Sequence, residues 1–425
     1  MSDPGLALLE ATAPGDCIGL AALSALAFHG GDLQPLFAAL LERVDQRPDD
    51  AAALMDIATL LLLSGDRTNG LGVQSQALAQ RAVYRRAGAA GGLRVLAIMA
   101  AGDTMANTPL DFLLEGSGAT LINLYAGPAG ELPGEAPDHD VAFLAVGESE
   151  ANRSILQGLA GRLGAWPRPL LNANPLRIAD LTRDGVCALL AGAPEILAPA
   201  AYRLDRETLT RIGRGEASLG EVTNGADFPV IARPIGSHAG TGLEKLTSAA
   251  DLAAYVATQA VDRFYVSPFI DYANDDGLFR KQRIALIEGR PYVCHLAVSP
   301  RWMVHYLNAE MLDSAENRAE EARFMAEFNS DFARRHAEAF AVLHQRIGLD
   351  YFAIDCAETR DGRLLLFEAD VAMIVHAMDS PDLFPYKPPQ MRKVFAAFLA
   401  LLERAARGRG LGAWRPPAAM PILGT

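Results

Sequence analysis

The sequence predicts an α/β protein with an all-helical first part, and three observations along its 425 residues support that fold class. Ala and Leu recur at helical spacing through about the first 90 residues. From about 91 to 200, apolar runs of strand length alternate with helical stretches, which is typical of a parallel sheet. After about 200, further strands are joined by a glycine-rich loop and by hairpin turns, which indicates a third, mixed region.

Composition excludes several classes of protein. Half of the residues are hydrophobic, so the chain has enough apolar surface for a large core in roughly two to four domains. The net charge of -13 argues against nucleic-acid or membrane-surface partners. No apolar run is long enough to cross a bilayer, and the first residues do not resemble a signal peptide. The cysteines are scattered without a CxxC pair, which is typical of reduced thiols, so we expect a cytoplasmic protein.

The helical region is predicted to span residues 1–90, with helices at 19–28, 33–44, 51–63 and 74–84. The Gly-Asp pairs that start at positions 31 and 65 are 34 residues apart, which is the period of a tetratricopeptide repeat. Fewer than two such repeats are present. We therefore expect these helices to pack on the rest of the protein or to hold a protein or peptide partner. A plain helical cap without a binding role is the alternative.

Residues 91–200 are predicted to form an α/β domain. Strands are expected at 94–99, 119–125 and 141–146, with helices at 109–114 and 181–190. The loop at 100–107 follows the first strand, at the edge where open parallel sheets bind ligands. It contains no GxGxxG motif, so we do not expect a dinucleotide there.

A glycine-rich loop, PIGSHAGTG at 234–242, lies between a strand at 228–233 and a helix at 249–258. The strand ends on a cation, Arg233, and glycines let consecutive backbone N–H groups approach phosphate oxygens. This order of parts favours phosphate binding, whereas a plain turn is the alternative for the loop alone. The next strand, at 263–270, has aromatic residues that can flank a flat base.

Two strands at 277–287 and 291–298 are predicted to form a hairpin. Alternation along the first strand places Lys281 and Arg283 on one face and Arg280 on the other. Two cations that point inward suit an anionic ligand, and a solvated cationic sheet edge is the alternative.

Two further elements of the C-terminal part are expected to be helical. A long helix with many charges is predicted at 317–346 and an amphipathic helix at 391–406, followed by a tail at 408–425.

Three histidines are expected to be structural rather than catalytic: His295, His305 and His376.

The stretch 350–379 holds three carboxylates on a predicted hairpin. An Asp-Gly turn between strands at 351–357 and 364–367 brings Asp355 alongside Glu368, which shares a face with Asp370. The carboxylates of such a cluster repel one another, and burying them costs desolvation free energy. A hard cation bound between them removes that cost. Mg²⁺ prefers a few carboxylates with waters and phosphates, so a magnesium site is predicted. A solvated hairpin face is the alternative, and removing one charge from the cluster is expected to relieve repulsion.

These parts, in this order, resemble the ATP-grasp superfamily over about residues 91 to 405. The matching pieces are the parallel sheet, FPVIARPIGSHAGTG, YVSPFID, RKQRIALIEGRPY, Asp355, and Glu368 with Asp370. The resemblance implies an ATP-grasp fold preceded by a Rossmann-like pre-ATP-grasp domain at 91–200 and, before it, the tetratricopeptide-like helices. It divides the rest into a small lobe at 201–270 with the glycine-rich loop and a large lobe at 271–407 with the metal site.

The resemblance also implies the roles of the site residues. ATP would lie between the lobes, with Mg²⁺ on Asp355, Glu368 and Asp370. The implied nucleotide-binding residues are Arg233, Gly236, Ser237, His238, Gly240, Thr241, Gly242, Tyr265, Val266 and Phe269. The implied catalytic cations, beside the γ-phosphate, are Lys281, Arg283 and Arg301. Two positions depart from the family pattern, which usually has Lys in place of Arg233 and commonly Asn in place of Asp370.

The activity that the resemblance implies is ATP-dependent ligation. A small-molecule or peptide carboxylate would be activated as an acyl phosphate and coupled to an amine, with release of ADP and phosphate. A kinase-like phosphotransferase and a non-catalytic nucleotide-binding scaffold are the alternatives. We also consider a homodimer.

Overall fold

The computed structural model describes residues 3–237 and 240–408. Within these residues the chain forms three β-sheets and sixteen α-helices. His238 and the predicted tail after Gly408 lie outside the described residues. No helix in the described ranges combines the length and the apolar character that a membrane span requires.

Five helices form the N-terminal region. They are α1 (Pro4–Ala11), α2 (Leu20–Phe28), α3 (Gln34–Gln46), α4 (Ala51–Leu63) and α5 (Arg67–Gln80). Asp66 caps α5 by accepting a hydrogen bond from the backbone of Asn69, and Asp32 accepts one from Gln34 at the start of α3. Each Gly-Asp pair therefore marks the start of a helix. The tetratricopeptide interpretation stays a prediction.

The second region contains a five-stranded sheet. Its strands are β1 (Val83–Arg86), β2 (Arg94–Met99), β3 (Thr120–Tyr125), β4 (Val141–Leu144) and β5 (Leu170–Leu171). The order is β1-β3-β2-β4-β5, and every pair is parallel except β1 with β3, which confirms the predicted parallel sheet. The helices of this region are α6 (Leu110–Leu113), α7 (Arg153–Ala160), α8 (Pro175–Ala179) and α9 (Arg183–Leu190). The short strand β6 (Ile196–Leu197) follows and joins the third sheet.

One predicted helix extends too far. The helix predicted at 74–84 ends at Gln80, and the chain then forms the edge strand β1. Val83 and Tyr84 favour extended structure, and antiparallel pairing with β3 supplies partners for their backbone groups. Residues before 90 therefore contribute a strand to the sheet of the second region.

The small lobe is an antiparallel sheet with helices. Its elements are β7 (Tyr202–Asp205), α10 (Arg206–Gly213), α11 (Leu219–Val222), β8 (Val230–Pro234), β9 (Glu244–Leu246), α12 (Ala249–Thr258) and β10 (Arg263–Pro268). The strand order is β7-β10-β8-β9. The strand predicted before the glycine-rich loop is β8, and the helix predicted after it is α12. The loop itself lies in the connection between β8 and β9.

The large lobe is built on the third sheet, in the order β12-β11-β13-β14-β6. Its elements are β11 (Phe279–Ile287), β12 (Arg290–Ser299), α13 (Ala315–Glu327), α14 (Phe332–Arg335), α15 (Ala337–Ile347), β13 (Tyr351–Glu358), β14 (Leu364–Asp370) and α16 (Lys387–Ala406). Both predicted hairpins, β11–β12 and β13–β14, are present.

The long helix predicted at 317–346 is wrong, since that stretch is divided among α13, α14 and α15. The break falls at Asn329, Ser330 and Asp331, which are weak helix formers. Phe328 and Phe332 then stack at a centroid distance of 6.0 Å on the two sides of the break. Packing of these rings outweighs the helical periodicity of the local sequence.

The first and third sheets share one hydrophobic core, in which Leu96 and Ile98 of β2 belong to the same cluster as Phe352 and Ile354 of β13. The small lobe has a separate cluster, whose buried members all lie between residues 209 and 266. The small lobe therefore has a hydrophobic core of its own.

Two carboxylates hold the start of α2. Asp56 of α4 accepts hydrogen bonds from the backbone N–H groups of Ile18 and Gly19, at 2.9 and 3.4 Å. Asp111 of α6 accepts one from Leu20 at 3.1 Å. Negative charge is favourable at a helix N-terminus, so these contacts join α2 both to the helical region and to the second region.

Asp56→Asn is expected to flatten the pH dependence of stability between about pH 4 and 7. Burial raises the pKa of Asp56 from 3.8 to about 7, although the two backbone hydrogen bonds oppose the shift. The folded state therefore binds more protons than the unfolded state in this range, and the contribution of Asp56 to stability falls as the pH rises. One group contributes a slope of at most about 1.4 kcal/mol per pH unit. Thermal unfolding of both proteins across this range tests the prediction, and equal slopes would contradict it.

Candidate functional site

Strands β13 and β14 bring two of the predicted metal ligands together. Asp355 pairs with Glu368 across the antiparallel ladder, and a bulge follows between Asp355 and Cys356. Asp370, at the end of β14, pairs with Ala353. The prediction that the turn brings Asp355 alongside Glu368 is confirmed.

Asp355 is bound by two of the predicted catalytic cations, and its side chain is only 3% exposed. Arg283 grips both carboxylate oxygens, with Nε 2.8 Å from Oδ1 and Nη2 3.1 Å from Oδ2. The Nζ atom of Lys281 lies 2.7 Å from Oδ2. Burial alone would raise the pKa of Asp355, but the charges of Arg283 and Lys281 outweigh it and hold that pKa well below its usual range. The three residues form a buried ion group with one net positive charge.

The alternation predicted along β11 is confirmed. Arg280 faces away from this ion group and pairs with Asp276, at 2.7 Å, and with Glu320. The side chains of Lys281 and Arg283 are 18% and 22% exposed, so they do not form the solvated cationic edge that was the alternative.

Glu368 has a cationic partner that sequence reasoning missed. The Nη2 atom of Arg183 lies 3.0 Å from Glu368 Oε1, and its Nη1 donates to the carbonyl of Phe367 at 3.3 Å. Burial alone would raise the pKa of Glu368, but the charges of Arg183, Arg233 and Lys281 together outweigh it and the pKa is lowered. Arg183 is the first residue of α9. A cation is unfavourable at a helix N-terminus, so this local conflict was the available signal of a functional residue.

Asp370 lies in a different electrostatic setting. Burial raises its pKa to about 7, and the nearby charges of Glu368 and Glu148 add to the shift. Its Oδ1 atom accepts a hydrogen bond from the backbone of Ala372 at 3.0 Å. Burial also raises the pKa of Glu148, on the loop after β4, to about 7. Glu148 was not among the predicted site residues.

The structure does not gather Asp355, Glu368 and Asp370 into one metal-binding group. Among the described residues, no three His, Cys, Asp or Glu side chains lie close enough to hold a metal ion. The physical reason is that Asp355 directs both of its oxygens at Lys281 and Arg283. The three-carboxylate magnesium site therefore stays a prediction.

Arg233 is hydrogen-bonded to the first part of the glycine-rich loop. Its Nε donates to Ser237 Oγ at 3.1 Å, and its Nη2 donates to the backbone carbonyl of Ser237. Burial lowers the pKa of Arg233 to about 10, with Arg183 contributing, so the guanidinium remains charged at neutral pH. Gly236 and Gly240 have φ angles of 80° and 76°, which favour glycine.

Gly240→Val is expected to weaken ATP binding by roughly tenfold or more while the small lobe stays folded. A Cβ at this position would lie 3.4 Å from Met303 Sδ, and the backbone is in the left-handed region. Gly215→Val is the matched control, because Gly215 has a φ of +73° and a Cβ added there would meet nothing within 4 Å. Calorimetric titration with ATP and Mg²⁺ measures the affinity, and melting temperatures measure the strain. Equal ATP affinities in the two variants would contradict the loop assignment.

The predicted base-binding residues on strand β10 and just after it have different surroundings. Tyr265 donates its hydroxyl to Asp184 Oδ1 at 3.1 Å. Val266 is 1% exposed and belongs to the small-lobe core, because successive strand residues face opposite sides of the sheet. Phe269 contacts Trp302 edge-to-face, with ring centroids 5.6 Å apart. The side chain of Val266 therefore packs into the small-lobe core, and the role of this residue in base binding stays a prediction.

Two cavities lie beside the loop. The smaller one, about 80 Å³, is lined by the predicted residues Gly236, Ser237, Tyr265, Glu368 and Asp370, together with Arg183 and Glu148. The larger one, about 560 Å³, is lined by the predicted residues Phe269 and Arg301, together with Lys245, Trp302 and Met303. Thr241 is exposed at the surface of the loop. Arg301 thus faces the larger cavity, whereas Lys281 and Arg283 bind Asp355.

Burial lowers the pKa of all three histidines noted in the sequence, so their rings are neutral at physiological pH. His295 packs edge-on against Tyr306, with centroids 4.7 Å apart. His376 lies 6.0 Å from the ring of Phe28 and 6.1 Å from that of Phe112. Their structural role stays a prediction.

The loop at 100–107 is covered by α5. Gln74 binds Gly102 in both directions, donating to its carbonyl at 2.9 Å and accepting from its N–H at 2.8 Å. Arg67 pairs with Asp103 at 3.1 Å. The loop after the first strand of the sheet is therefore in contact with the N-terminal helices of the protein itself.

No family model matches the chain, and no curated protein matches it. A RimK domain protein ATP-grasp from Sphaerobacter thermophilus DSM 20745 is similar in structure over 73% of this chain and 99% of its own, with 14% identity and a TM-score of 0.41. A D-alanine–D-alanine ligase from Bacillus anthracis complexed with ATP is similar over 75% and 98%, with 12% identity and a TM-score of 0.42. The VanG D-Ala:D-Ser ligase from Enterococcus faecalis is similar over 75% and 99%, with 13% identity and a TM-score of 0.45.

Proposed function

We propose that this protein is an ATP-dependent ligase, which activates a carboxylate as an acyl phosphate, couples it to an amine and releases ADP and phosphate. The observation that carries the proposal is the ion group of Asp355, Lys281 and Arg283 beside Glu368. Glu368 lines a cavity with the first residues of the glycine-rich loop, such as Gly236. In this proposal, an anionic nucleotide and an anionic substrate meet beside this positive charge.

Arg183 and Arg233 are the cations that we assign to the phosphates of ATP. Arg183 and Glu368 line the smaller cavity together with Ser237, which accepts a hydrogen bond from Arg233. Guanidinium groups bind phosphate oxygens through paired hydrogen bonds. The backbone N–H groups of the glycine-rich loop would complete the phosphate site.

Glu368 and Asp370 are the residues that would hold Mg²⁺. The hydrogen bonds described above occupy one oxygen of each carboxylate, and both residues line the smaller cavity. Two carboxylates fit this ion, which usually completes its shell with waters and substrate phosphates. When bound, Mg²⁺ neutralises charge on the transferring phosphoryl group. Asp355 would instead orient Lys281 and Arg283.

Lys281 and Arg283 would bind the carboxylate substrate. Lys281 has three N–H donors and Arg283 has five, and the described contacts use one and three of them. Each cation therefore retains N–H groups for an oxygen of the substrate, whose own charge would otherwise repel ATP. Movement of the small lobe, which has its own core, would exclude water from the acyl phosphate before the amine attacks.

The reaction is tested by incubating the protein with ATP, Mg²⁺ and a panel of carboxylates and amines, and by measuring product masses. The expected product has the combined mass of acid and amine less one water, with ADP and phosphate formed only when both substrates are present. AMP and pyrophosphate would contradict the proposal. A stable phosphorylated acid as the end point would indicate the kinase-like alternative, and tight ATP binding without turnover on any pair would indicate the scaffold.

A further inference from the structure

The segment 371–379, which we call the strap, follows directly after the carboxylate strand β14. Its residue Ile374 accepts a hydrogen bond from Arg283 Nη1 at 3.0 Å. The far end of the strap is held by an ion pair of 2.9 Å between Asp379 and Lys387. The orientation of the Arg283 guanidinium therefore depends on two partners, Asp355 and the strap.

The two halves of the strap differ in burial. Val371, Ala372, Met373 and Val375 are buried, whereas the residues from 376 to 379 are only partly buried. A backbone segment with few buried contacts is the part that opens first. The position of this second half, residues 376–379, therefore depends on the residues that pack against it.

The end of α2 covers that second half. The Nε2–H group of His29 donates to the carbonyl of Met378 at 3.0 Å, and the ring of Phe28 lies 6.0 Å from the ring of His376. Within the strap, the Met378 N–H donates to His376 Nδ1 at 3.1 Å. The N-terminal helical region thus contacts the segment that orients Arg283.

Helix α2 is anchored at its other end. The carboxylates of Asp56 and Asp111 bind the backbone at the start of the helix. A short helix fixed at its start places its last residues at a defined position over the strap. The contact between α2 and the strap therefore joins two elements that other contacts fix: Asp56 and Asp111 at the start of α2, and Lys387 at the end of the strap.

We propose that the end of α2, through Phe28 and His29, is a positioning element for Arg283, so that the N-terminal helical region takes part in the reaction without touching substrate. This inference rests on the proposed function for the role of Arg283, but the contact between α2 and the strap can be tested without it. If the helical region only stabilised the fold, loss of these contacts would lower the melting temperature without a selective effect on the strap or on kcat.

The test uses the full chain with Phe28→Ala and His29→Ala. Hydrogen exchange of residues 371–379 should become faster in both variants, while exchange of β13 and β14 stays unchanged. The kcat of the complete reaction should fall by about three- to tenfold, since small misplacements of a reacting group are costly. The KM for ATP should stay within about twofold, because α2 does not contact the proposed phosphate site. His29→Gln keeps an N–H donor and should restore much of the loss.

Leu41→Ala is the matched control, because Leu41 is an exposed apolar residue of α3, at 47% exposure, close to the 48% of Phe28. It should change neither strap exchange nor kcat. Unchanged strap exchange in both α2 variants would overturn the inference, whatever the reaction is. Faster strap exchange with an unchanged kcat would overturn the positioning role. Failure of the proposed function would appear separately, in the wild-type protein, as the absence of a ligation product.

Discussion

Asp355→Asn is expected to abolish turnover and also to destabilise the protein. The substitution removes the only negative charge from a buried group whose other members are Lys281 and Arg283. Breaking such a buried ion group leaves uncompensated charge and costs on the order of 3 kcal/mol or more. Without Asp355, Lys281 loses its carboxylate partner and Arg283 keeps only its hydrogen bond to the carbonyl of Ile374, among the contacts described here. Turnover is measured as ADP release and stability by thermal unfolding.

This expectation reverses the sign that the sequence alone suggested. Three carboxylates on one hairpin predicted that loss of a charge would relieve repulsion and raise stability. The structure instead surrounds Asp355 with cations, which hold its pKa well below the usual range. A higher melting temperature in Asp355→Asn would contradict the ion group and support the repelling cluster.

Asp350→Asn is the control for Asp355→Asn. Asp350 lies just before the same strand, and burial raises its pKa rather than lowering it. Its carboxylate accepts a hydrogen bond from the backbone of Asn172 at 2.7 Å, which an asparagine side-chain oxygen can also accept. We therefore expect only a small effect on stability and turnover from this variant.

Glu368→Gln should lower Mg²⁺-dependent turnover by roughly a hundredfold or more, with little loss of stability. The side chain is 34% exposed and pairs with Arg183 at 3.0 Å, so the lost ion pair is worth at most about 1 kcal/mol. The reason for the large kinetic effect is the loss of a charged oxygen from the proposed magnesium site. Binding of Mn²⁺ in the presence of ATP, followed by electron paramagnetic resonance, tests the metal site directly.

Glu358→Gln is the matched control on the same hairpin. Glu358 is 33% exposed and also pairs with an arginine, Arg335. It does not line either cavity beside the glycine-rich loop. Its substitution should leave Mn²⁺ binding and turnover unchanged. Equal behaviour of the two variants would show that Glu368 has no special role in metal binding.

Much of the fold was predictable because its signals are local. The Asp-Gly turn and the apolar runs on either side of it predicted the hairpin of β13 and β14, and its register does pair Asp355 with Glu368. Period-two alternation predicted that Lys281 and Arg283 share a face opposite Arg280. These features depend on neighbours within a strand or a turn, which a single sequence contains.

Local signals failed where a distant partner decided the outcome. Val83 and Tyr84 continue a helical pattern, but pairing with β3 makes them a strand. The stretch after Glu327 has helical periodicity, but packing of Phe328 and Phe332 breaks the helix. In both cases the tertiary contacts act together with local preferences, for extended structure at Val83 and Tyr84 and against helix at 329–331, and both oppose the helical periodicity.

The sequence by itself determined the parallel sheet of the second region, the two later hairpins, the glycine-rich loop after a cation, and the pairing of two carboxylates across a hairpin. Only the tertiary structure decided the partners of the charged groups: Asp355 binds Lys281 and Arg283, Glu368 binds Arg183, and α2 covers the strap. The physical reason is that backbone conformation follows short-range sterics and periodicity. The environment of a buried charge instead depends on side chains that are far away in sequence, here by 72 residues for Arg283 and by 185 for Arg183.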